Sequence, residues 1–456
     1  MQEKQPPEDF FSLNRDYFAS DQEFLDFKQA LKQPPLRSIR LNSNKPMAKN
    51  IFADNQNVPW LEAGKYIPEN FSPSKDPNWS AGGYYVQEAS SMLIANFIDK
   101  KPDQKILDLC AAPGGKTTLV AAAVPKSCLI FANEVVTKRV HTLKENVIKE
   151  GMDNVLITQN QATDFQALGQ YFDTIFVDSP CSGEGLCRKN PDIWDSWSVE
   201  IVKQCSFRQT EILQEIAGCL QVGGQLIYST CTFNSIENEE VVNLFLENNP
   251  EFVLEKLSYN PDWGVVSQVD GCYHLFPSKA KGEGLFIATL RKVRNSANLE
   301  TDGFINHNFK NISPFIQFKP LAKKLSQSLS SWLNVGDKYN YFSYLKDIYI
   351  VPKSFKNIQD QLSKSNLRIH SFGLKLGRIK GKDFVPSQDL ALFSGLAQSV
   401  KKLELNLEQA KQVIANEPLD IQNYQDYGWL LLCYNGLGLS WGKQVGGRIN
   451  TYFGKV

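Results

Sequence analysis

A chain of 456 residues is too long for one ordinary hydrophobic core and points to two to four domains. Its 42% hydrophobic and 21% charged content, with 8 Trp, excludes a disordered chain, and no apolar run is long enough to span a membrane. Lys plus Arg and Asp plus Glu both number 49 and the pI is near 6.9, which excludes a globally basic nucleic-acid binder and leaves any RNA affinity to local patches. The polar start, Met1-Gln-Glu-Lys-Gln-Pro-Pro-Glu-Asp9, has no apolar signal core, so a cytoplasmic protein with no membrane partner is expected. The 9 cysteines include no CxxC pair, which argues against a metal site and against a disulfide framework.

Residues 1–75 contain a helical stretch at 18–31, then the strand-like Arg37-Ser-Ile-Arg-Leu-Asn42. Residues 76–295 alternate strands with helices. Apolar runs at 105–109, 129–133, 155–158, 174–178 and 225–229 read as strands, and 137–150 and 206–220 read as helices. This alternation predicts an α/β domain, a parallel sheet with helices on both faces. Asn- and Ser-rich sequence at 295–311 marks a linker, followed by an intermediate domain (312–395) and a β-rich, glycine-rich domain (396–456) with the strand-like run 428–434. Two basic clusters lie there, Lys375, Arg378, Lys380 and Lys382, and then Lys443, Arg448 and Lys455. Alone, such clusters read as solvated faces.

The first strand of the alternating region leads into Leu107-Asp-Leu-Cys-Ala-Ala-Pro-Gly-Gly-Lys-Thr-Thr118 and a helix. Small residues and glycines let backbone approach a ligand, and the helix N-terminus attracts an anion. Gly-Gly-Lys-Thr suggests a phosphate loop, but that motif needs Gly where Cys110 stands. A loop that holds the amino-acid end of S-adenosylmethionine fits better. About twenty residues on, the next strand ends in Asn133-Glu134, where an acid can accept from both ribose hydroxyls.

Two cysteines follow two strands, in Phe176-Val-Asp-Ser-Pro-Cys-Ser-Gly-Glu-Gly185 and Leu226-Ile-Tyr-Ser-Thr-Cys231. A free cysteine is ordinarily a small buried residue. Here both lie in polar turns on the edge of the sheet that carries the methyl-donor loop. Carbon 5 of cytosine is a weak nucleophile. A thiolate added at carbon 6 turns the ring into an enamine that can accept a sulfonium methyl. A carboxyl such as Asp178 can favour the addition at ring N3, and a second thiol suits the proton removal that follows.

Asp108-Leu-Cys-Ala-Ala-Pro-Gly-Gly-Lys116, Asp178-Ser-Pro-Cys-Ser-Gly183 and Ser229-Thr-Cys231 resemble the Fmu/Sun-type RNA cytosine-5 methyltransferases. Tyr85-Val-Gln-Glu-Ala-Ser-Ser91, Arg188-Lys-Asn-Pro191 and Lys281-Gly-Glu-Gly284 extend the likeness over roughly 80–295. The resemblance implies a Rossmann-like S-adenosylmethionine-dependent fold with a small N-terminal α+β segment that binds RNA. It makes Cys231 the nucleophile and gives product release to Cys181. It implies that Cys110, Ala111, Ala112, Pro113, Gly114, Gly115 and Lys116, with Glu134 and Asp178, hold or border the cofactor. The family's adenine-contacting acid is replaced by Gln161, with Asp164 three residues late. The tail Gly438-Leu-Ser-Trp-Gly-Lys-Gln-Val-Gly-Gly-Arg-Ile-Asn450 resembles the PUA-like domain of a bacterial group within the family, which implies a cytosine of small-subunit (16S) ribosomal RNA as target.

Three alternatives stay open from sequence: the same reaction on transfer RNA, an idle RNA-binding assembly factor, and a DNA methyltransferase attacking through Cys181. Arg188 and Lys189 are candidates for touching the target nucleotide or for capping their loop, and His141 is expected at the surface. A monomer is expected.

Overall fold

The computed structural model describes residues 4–295, 319–334, 338–355, 358, 362, 365–381, 383–421, 428–445 and 448–454. The linker at 295–311 therefore lies, apart from Asn295, outside the described residues, as do Lys382 and Lys455. No helix among the described residues is long and apolar enough to cross a membrane.

Two helices open the chain, α1 (Glu8–Asn14) and α2 (Asp21–Ala30). Ser20 caps α2 by accepting from the Glu23 amide, which sets the helix start inside the 18–31 stretch. Phe10, Phe18 and Phe27 bury their rings against Phe233 and Phe276 of the alternating domain, so the two helices are seated on it. A four-stranded sheet follows, of β1 (Ser38–Leu41), β2 (Asn57–Val58), β3 (Leu61–Tyr66) and β4 (Tyr84–Val86), in the order β2-β3-β1-β4. A short helix, α3 (Pro77–Ser80), precedes β4. The N-terminal sheet thus runs past residue 75, because β4 pairs with β1.

Arg40 on β1 does not face solvent. Its buried guanidinium donates to the Gly115 carbonyl at 2.9 Å and to Thr118 Oγ1 at 2.7 Å, and pairs with Glu150 at 3.2 Å. The strand that resembles an RNA-binding segment is here a strut against the helix after the glycine loop. Arg37 likewise turns to the carbonyls of Glu69 and Phe71, both at 2.6 Å.

The alternating region builds β5 (Lys105–Asp108), α4 (Gly115–Ala123), β6 (Leu129–Asn133), α5 (Thr137–Lys149), β7 (Val155–Thr158), β8 (Phe172–Asp178), α6 (Val199–Ile216), β9 (Leu220–Thr230) and α7 (Glu239–Asn248). β5 to β9 are parallel, in the order β9-β8-β5-β6-β7. The order reverses between β5 and β8, and the crevice outside the carboxyl ends of strands at such a point is where open α/β sheets bind ligands. The antiparallel strands β10 (Phe252–Leu254), β11 (Val265–Val266), β12 (Cys272–Leu275) and β13 (Leu285–Lys292) extend the β9 edge.

The intermediate segment contributes β14 (Lys319–Pro320), β15 (Tyr339–Tyr344), β16 (Asp347–Pro352), β17 (Ile369–Phe372), β18 (Leu374–Lys380) and β19 (Asp383–Pro386). Of these β17 leaves its neighbours and pairs antiparallel with β7, becoming the last strand of the sheet built on β5 to β9. The C-terminal sheet, β20 (Lys402–Glu404), β21 (Gly428–Tyr434), β22 (Leu437–Val445) and β23 (Arg448–Thr451), shares one apolar core with the intermediate segment, since Trp441 packs with Leu333, Ile350, Leu374 and Phe393. The Trp441 indole donates to the Ser387 carbonyl at 2.7 Å, and so ties the two segments across residue 395.

Removing one partner of a buried ion pair leaves the other charge stranded, at a cost of about 3–5 kcal/mol. Arg40→Ala is therefore expected to shift the urea unfolding midpoint strongly downward, whereas Arg37→Ala, whose side chain is half-buried and meets only carbonyls, costs much less. Equal midpoints for the two variants would refute the strut assignment.

Candidate active site

The glycine loop leaves β5 at Asp108 and turns into α4 at Gly115. Gly114 has φ of 107°, a conformation that L side chains rarely adopt, so the chain turns there at the cost only glycine avoids. A Cβ on Gly115 would lie 3.1 Å from the Tyr85 ring. The carbonyls of Ala112 and Pro113 are held by Arg139 at 2.6 Å and Asn146 at 2.8 Å, and the Ala111 amide donates to the Asn133 carbonyl at 2.8 Å. Cys110 is half-buried, and the packing around its sulfur pushes the thiol up, as expected of a lining group and not of a nucleophile.

Asp108 is buried, accepts from Thr117 Oγ1 at 2.6 Å through one oxygen, and has no partner for the other. Burial pushes its carboxyl up to about 7. Glu134, also buried, accepts from the Val136 amide at 2.9 Å, and its second oxygen lies 3.1 Å from Arg139 without hydrogen-bond geometry. A turn of backbone a Cβ would crowd, a helix N-terminus, and two buried carboxylates with an unsatisfied oxygen fit the amino acid and ribose of S-adenosylmethionine. Gln161 is exposed at the end of β7, and its amide donates to Asp164 at 2.8 Å.

Asp178 lies at the end of β8 between two donors, Lys116 Nζ at 2.7 Å and Ser229 Oγ at 2.8 Å. Burial alone would lower Lys116, but the Asp178 carboxylate outweighs it and holds the ammonium up. Lys116 thus ties the glycine loop to the ends of β8 and β9. Beyond those ends Cys181 and Cys231 lie with sulfurs 3.2 Å apart. The hydrogen bond to Cys231, then burial, keeps Cys181 well above the ordinary thiol range. Cys181 is accordingly a protonated thiol facing the second sulfur.

Several residues at this site carry no sequence signal. The two cysteine loops are knitted by the Gly185 amide, which donates to the Cys231 carbonyl at 2.6 Å, and by Glu184 and Glu237, both buried. Asn234 accepts from the Glu237 amide at 2.9 Å, the Glu237 carboxylate accepts from Ser182 and Gln209, and α7 begins only at Glu239. Arg188 is buried in a clasp with Glu283 at 2.9 Å and the Gly282 carbonyl at 2.5 Å, which makes it a loop anchor; Lys189 and His141 are exposed. Of the basic clusters, Lys375 and Arg378 are paired with Asp347, while Lys443 lies over the Trp429 ring at 5.5 Å and Arg448 is exposed.

Family models match in three places: 16S rRNA methyltransferase RsmB/F over 95–291, the N-terminal domain of 16S rRNA methyltransferase RsmF over 7–89, and the methyltransferase RsmF PUA domain over 400–456. The chain is 30% identical to ribosomal RNA small subunit methyltransferase F of Citrobacter koseri, over 98% of this chain and 95% of that one. It is also 30% identical to the protein of that name from Escherichia coli O81, with the same coverage. Among solved structures, a methyltransferase homolog protein from Pyrococcus horikoshii is 26% identical with a TM-score of 0.53, over 63% of this chain and 100% of that one. NSun6 from Pyrococcus horikoshii, solved with SFG, shares the fold at 21% identity and a TM-score of 0.56, over 64% of this chain and 100% of that one.

Because Asp108 is pushed up to about 7, the folded state holds a proton that the unfolded chain releases near the ordinary aspartate value of 3.8, so stability falls as pH rises between these values and levels off above. Asp108→Asn removes that penalty. The variant is expected to melt higher than the parent above pH 7, by a margin that vanishes near pH 4, and to bind S-adenosylmethionine more weakly by calorimetry. A margin independent of pH would refute the assignment of Asp108.

Proposed function

The chain belongs to the ribosomal RNA small subunit methyltransferase F family and is an S-adenosylmethionine-dependent RNA methyltransferase; from that premise we propose that it methylates carbon 5 of a cytosine in 16S ribosomal RNA. The observation that carries this reading is the pair of thiols, Cys181 and Cys231, 3.2 Å apart beside the Lys116–Asp178 pair that borders the glycine loop. A cytosine ring needs one sulfur to add at carbon 6 and one group to take the carbon 5 proton, and two adjacent sulfurs suit that division.

When bound, S-adenosylmethionine supplies an electrophilic methyl group. The backbone of Cys110 to Lys116 and the N-terminus of α4 would hold its carboxylate, the free oxygen of Asp108 would accept from its amino group, and Glu134 would accept from the ribose hydroxyls. Gln161 offers a carbonyl to the adenine amino group in place of an acid. The target base is flipped out of its stack, because carbon 6 is out of reach inside a helix. Cys231 adds at carbon 6 as the thiolate. Asp178, held between Lys116 and Ser229, meets ring N3, where a proton shared with Lys116 favours the addition. After methyl transfer Cys181, its own proton given up to solvent, takes the carbon 5 proton; the ring double bond re-forms, the Cys231 sulfur leaves as the thiolate, and N3 returns its proton to the Lys116–Asp178 pair. A DNA-type assignment would exchange the two sulfurs.

Ribosomal RNA is supported by the names of the full-length relatives and by the PUA match at 400–456. Lys443 and Trp429, with Tyr452 edge-on to Trp429 at 5.0 Å and Arg448 exposed nearby on β23, suit contacts to phosphate and base that position the RNA without specifying it. In this reading the protein acts as a monomer in the cytoplasm.

Substituting each cysteine and separating protein from RNA under denaturing conditions decides the roles. Cys231→Ala is expected to form no covalent adduct, and Cys181→Ala to accumulate one that turns over slowly. The opposite pattern would give the attack to Cys181 and reject the proposed mechanism.

A further inference from the structure

We propose that Glu184 and Glu237 are positioning residues that set the spacing of the two thiols, each carboxylate gripping the loop that carries the other cysteine. Glu184, on the Cys181 loop, accepts from the amides of Phe233 at 2.8 Å and Asn234 at 3.2 Å, just beyond Cys231. Glu237, on the Cys231 loop, accepts from the Ser182 amide at 2.9 Å and the Ser182 hydroxyl at 2.5 Å, just beyond Cys181. The grips are reciprocal, and side chains complete them. Trp197 donates to Glu184 at 3.1 Å, Gln209 donates to Glu237 at 2.8 Å, and Asn234 bridges the two carboxylates at 2.9 and 3.0 Å.

Neither acid touches the sulfurs, and a purely structural role is not needed at this depth. A buried carboxylate is costly, and an apolar pair would close two loops more cheaply. Burial does push both carboxyls up, Glu184 to about 7. What the acids add is direction. Four donors converge on each carboxylate, so the amides flanking both cysteines are held at fixed points, and the loops cannot slide past each other. The Gly185 position reinforces this, because a Cβ there would lie 2.7 Å from the Cys231 carbonyl oxygen.

The inference rests on the two-thiol reading for its catalytic meaning, but its test does not. Diamide takes two hydrogens from two thiols to leave a disulfide, at a rate set by how often the sulfurs meet, and peptide mass spectrometry identifies the Cys181–Cys231 link. Glutamine places an amino group against converging donors. Glu184→Gln and Glu237→Gln are each expected to slow that link by about tenfold, the equivalent of one lost charge-assisted hydrogen bond. With them kcat should fall while KM for S-adenosylmethionine and for RNA stays within about twofold. Folded glutamine variants that cross-link at the parental rate would overturn the proposal. Should both fail to fold, Ser182→Ala removes a single donor and is expected to slow the link by about threefold; an unchanged rate there overturns it equally. Normal cross-linking loss without any methyl transfer in the parent protein would reject the proposed function and leave the clasp standing.

Discussion

Everything at the site depends on β8 and β9 being parallel neighbours that keep one register from Thr174 to Asp178. Asp178 stands opposite Ser229, so the hydroxyl meets the carboxylate as the strands end. Adjacent strands run about 4.8 Å apart. Two loops that leave such a pair side by side bring their next residues within reach of each other, and the sulfurs meet at 3.2 Å. β5 lies on the other side of β8, which sets the glycine loop beside both and lets Lys116 span from α4 to Asp178. Had the strand order differed by one exchange, the same residues would have been scattered along the sheet.

Charge is buried around this edge to an unusual degree, and in each case the burial fixes a loop. Arg40 with Glu150 braces the start of α4, Arg188 with Glu283 clasps the segment next to Gly284, and Glu184 and Glu237 hold the cysteine turns. A salt bridge inside protein is weak evidence of stability, since desolvation offsets much of the attraction. Its value here is geometric, because a satisfied buried charge tolerates only one arrangement of its donors. Asp108, Glu134, Glu150 and Glu283 each keep one buried oxygen without a hydrogen-bond partner, but only Asp108 and Glu134 among them stand at the ends of β5 and β6, beside the glycine loop.

Strand positions were legible because the runs at 129–133, 155–158 and 428–434 are apolar and bounded by turn residues, and the structure has strands with those bounds. The grouping of Asp178, Cys181 and Cys231 was legible too, since Asp178 ends one strand and each cysteine follows a strand end. An acid such as Glu184 was not, because a carboxylate in a polar turn reads as solvated until the fold closes over it. The same holds for Arg40 and Arg188, whose charge suggests a nucleic acid while their neighbours are carbonyls and glutamates. Nor does periodicity reveal that β4 belongs with the N-terminal sheet or that β17 crosses over to β7, since both are long-range pairings of short strands.

That crossing carries a practical consequence. Without β17, the backbone of β7 would present a row of unpaired amide and carbonyl groups, the kind of bare edge on which chains stick to one another. The Arg368 amide and the Asn160 side chain fasten the join at 2.8 Å, next to Gln161. A piece of this protein cut after β13 would therefore keep every residue of its chemistry and lose the guard on one flank, so the catalytic sheet is whole only when the polypeptide returns to it from beyond residue 319.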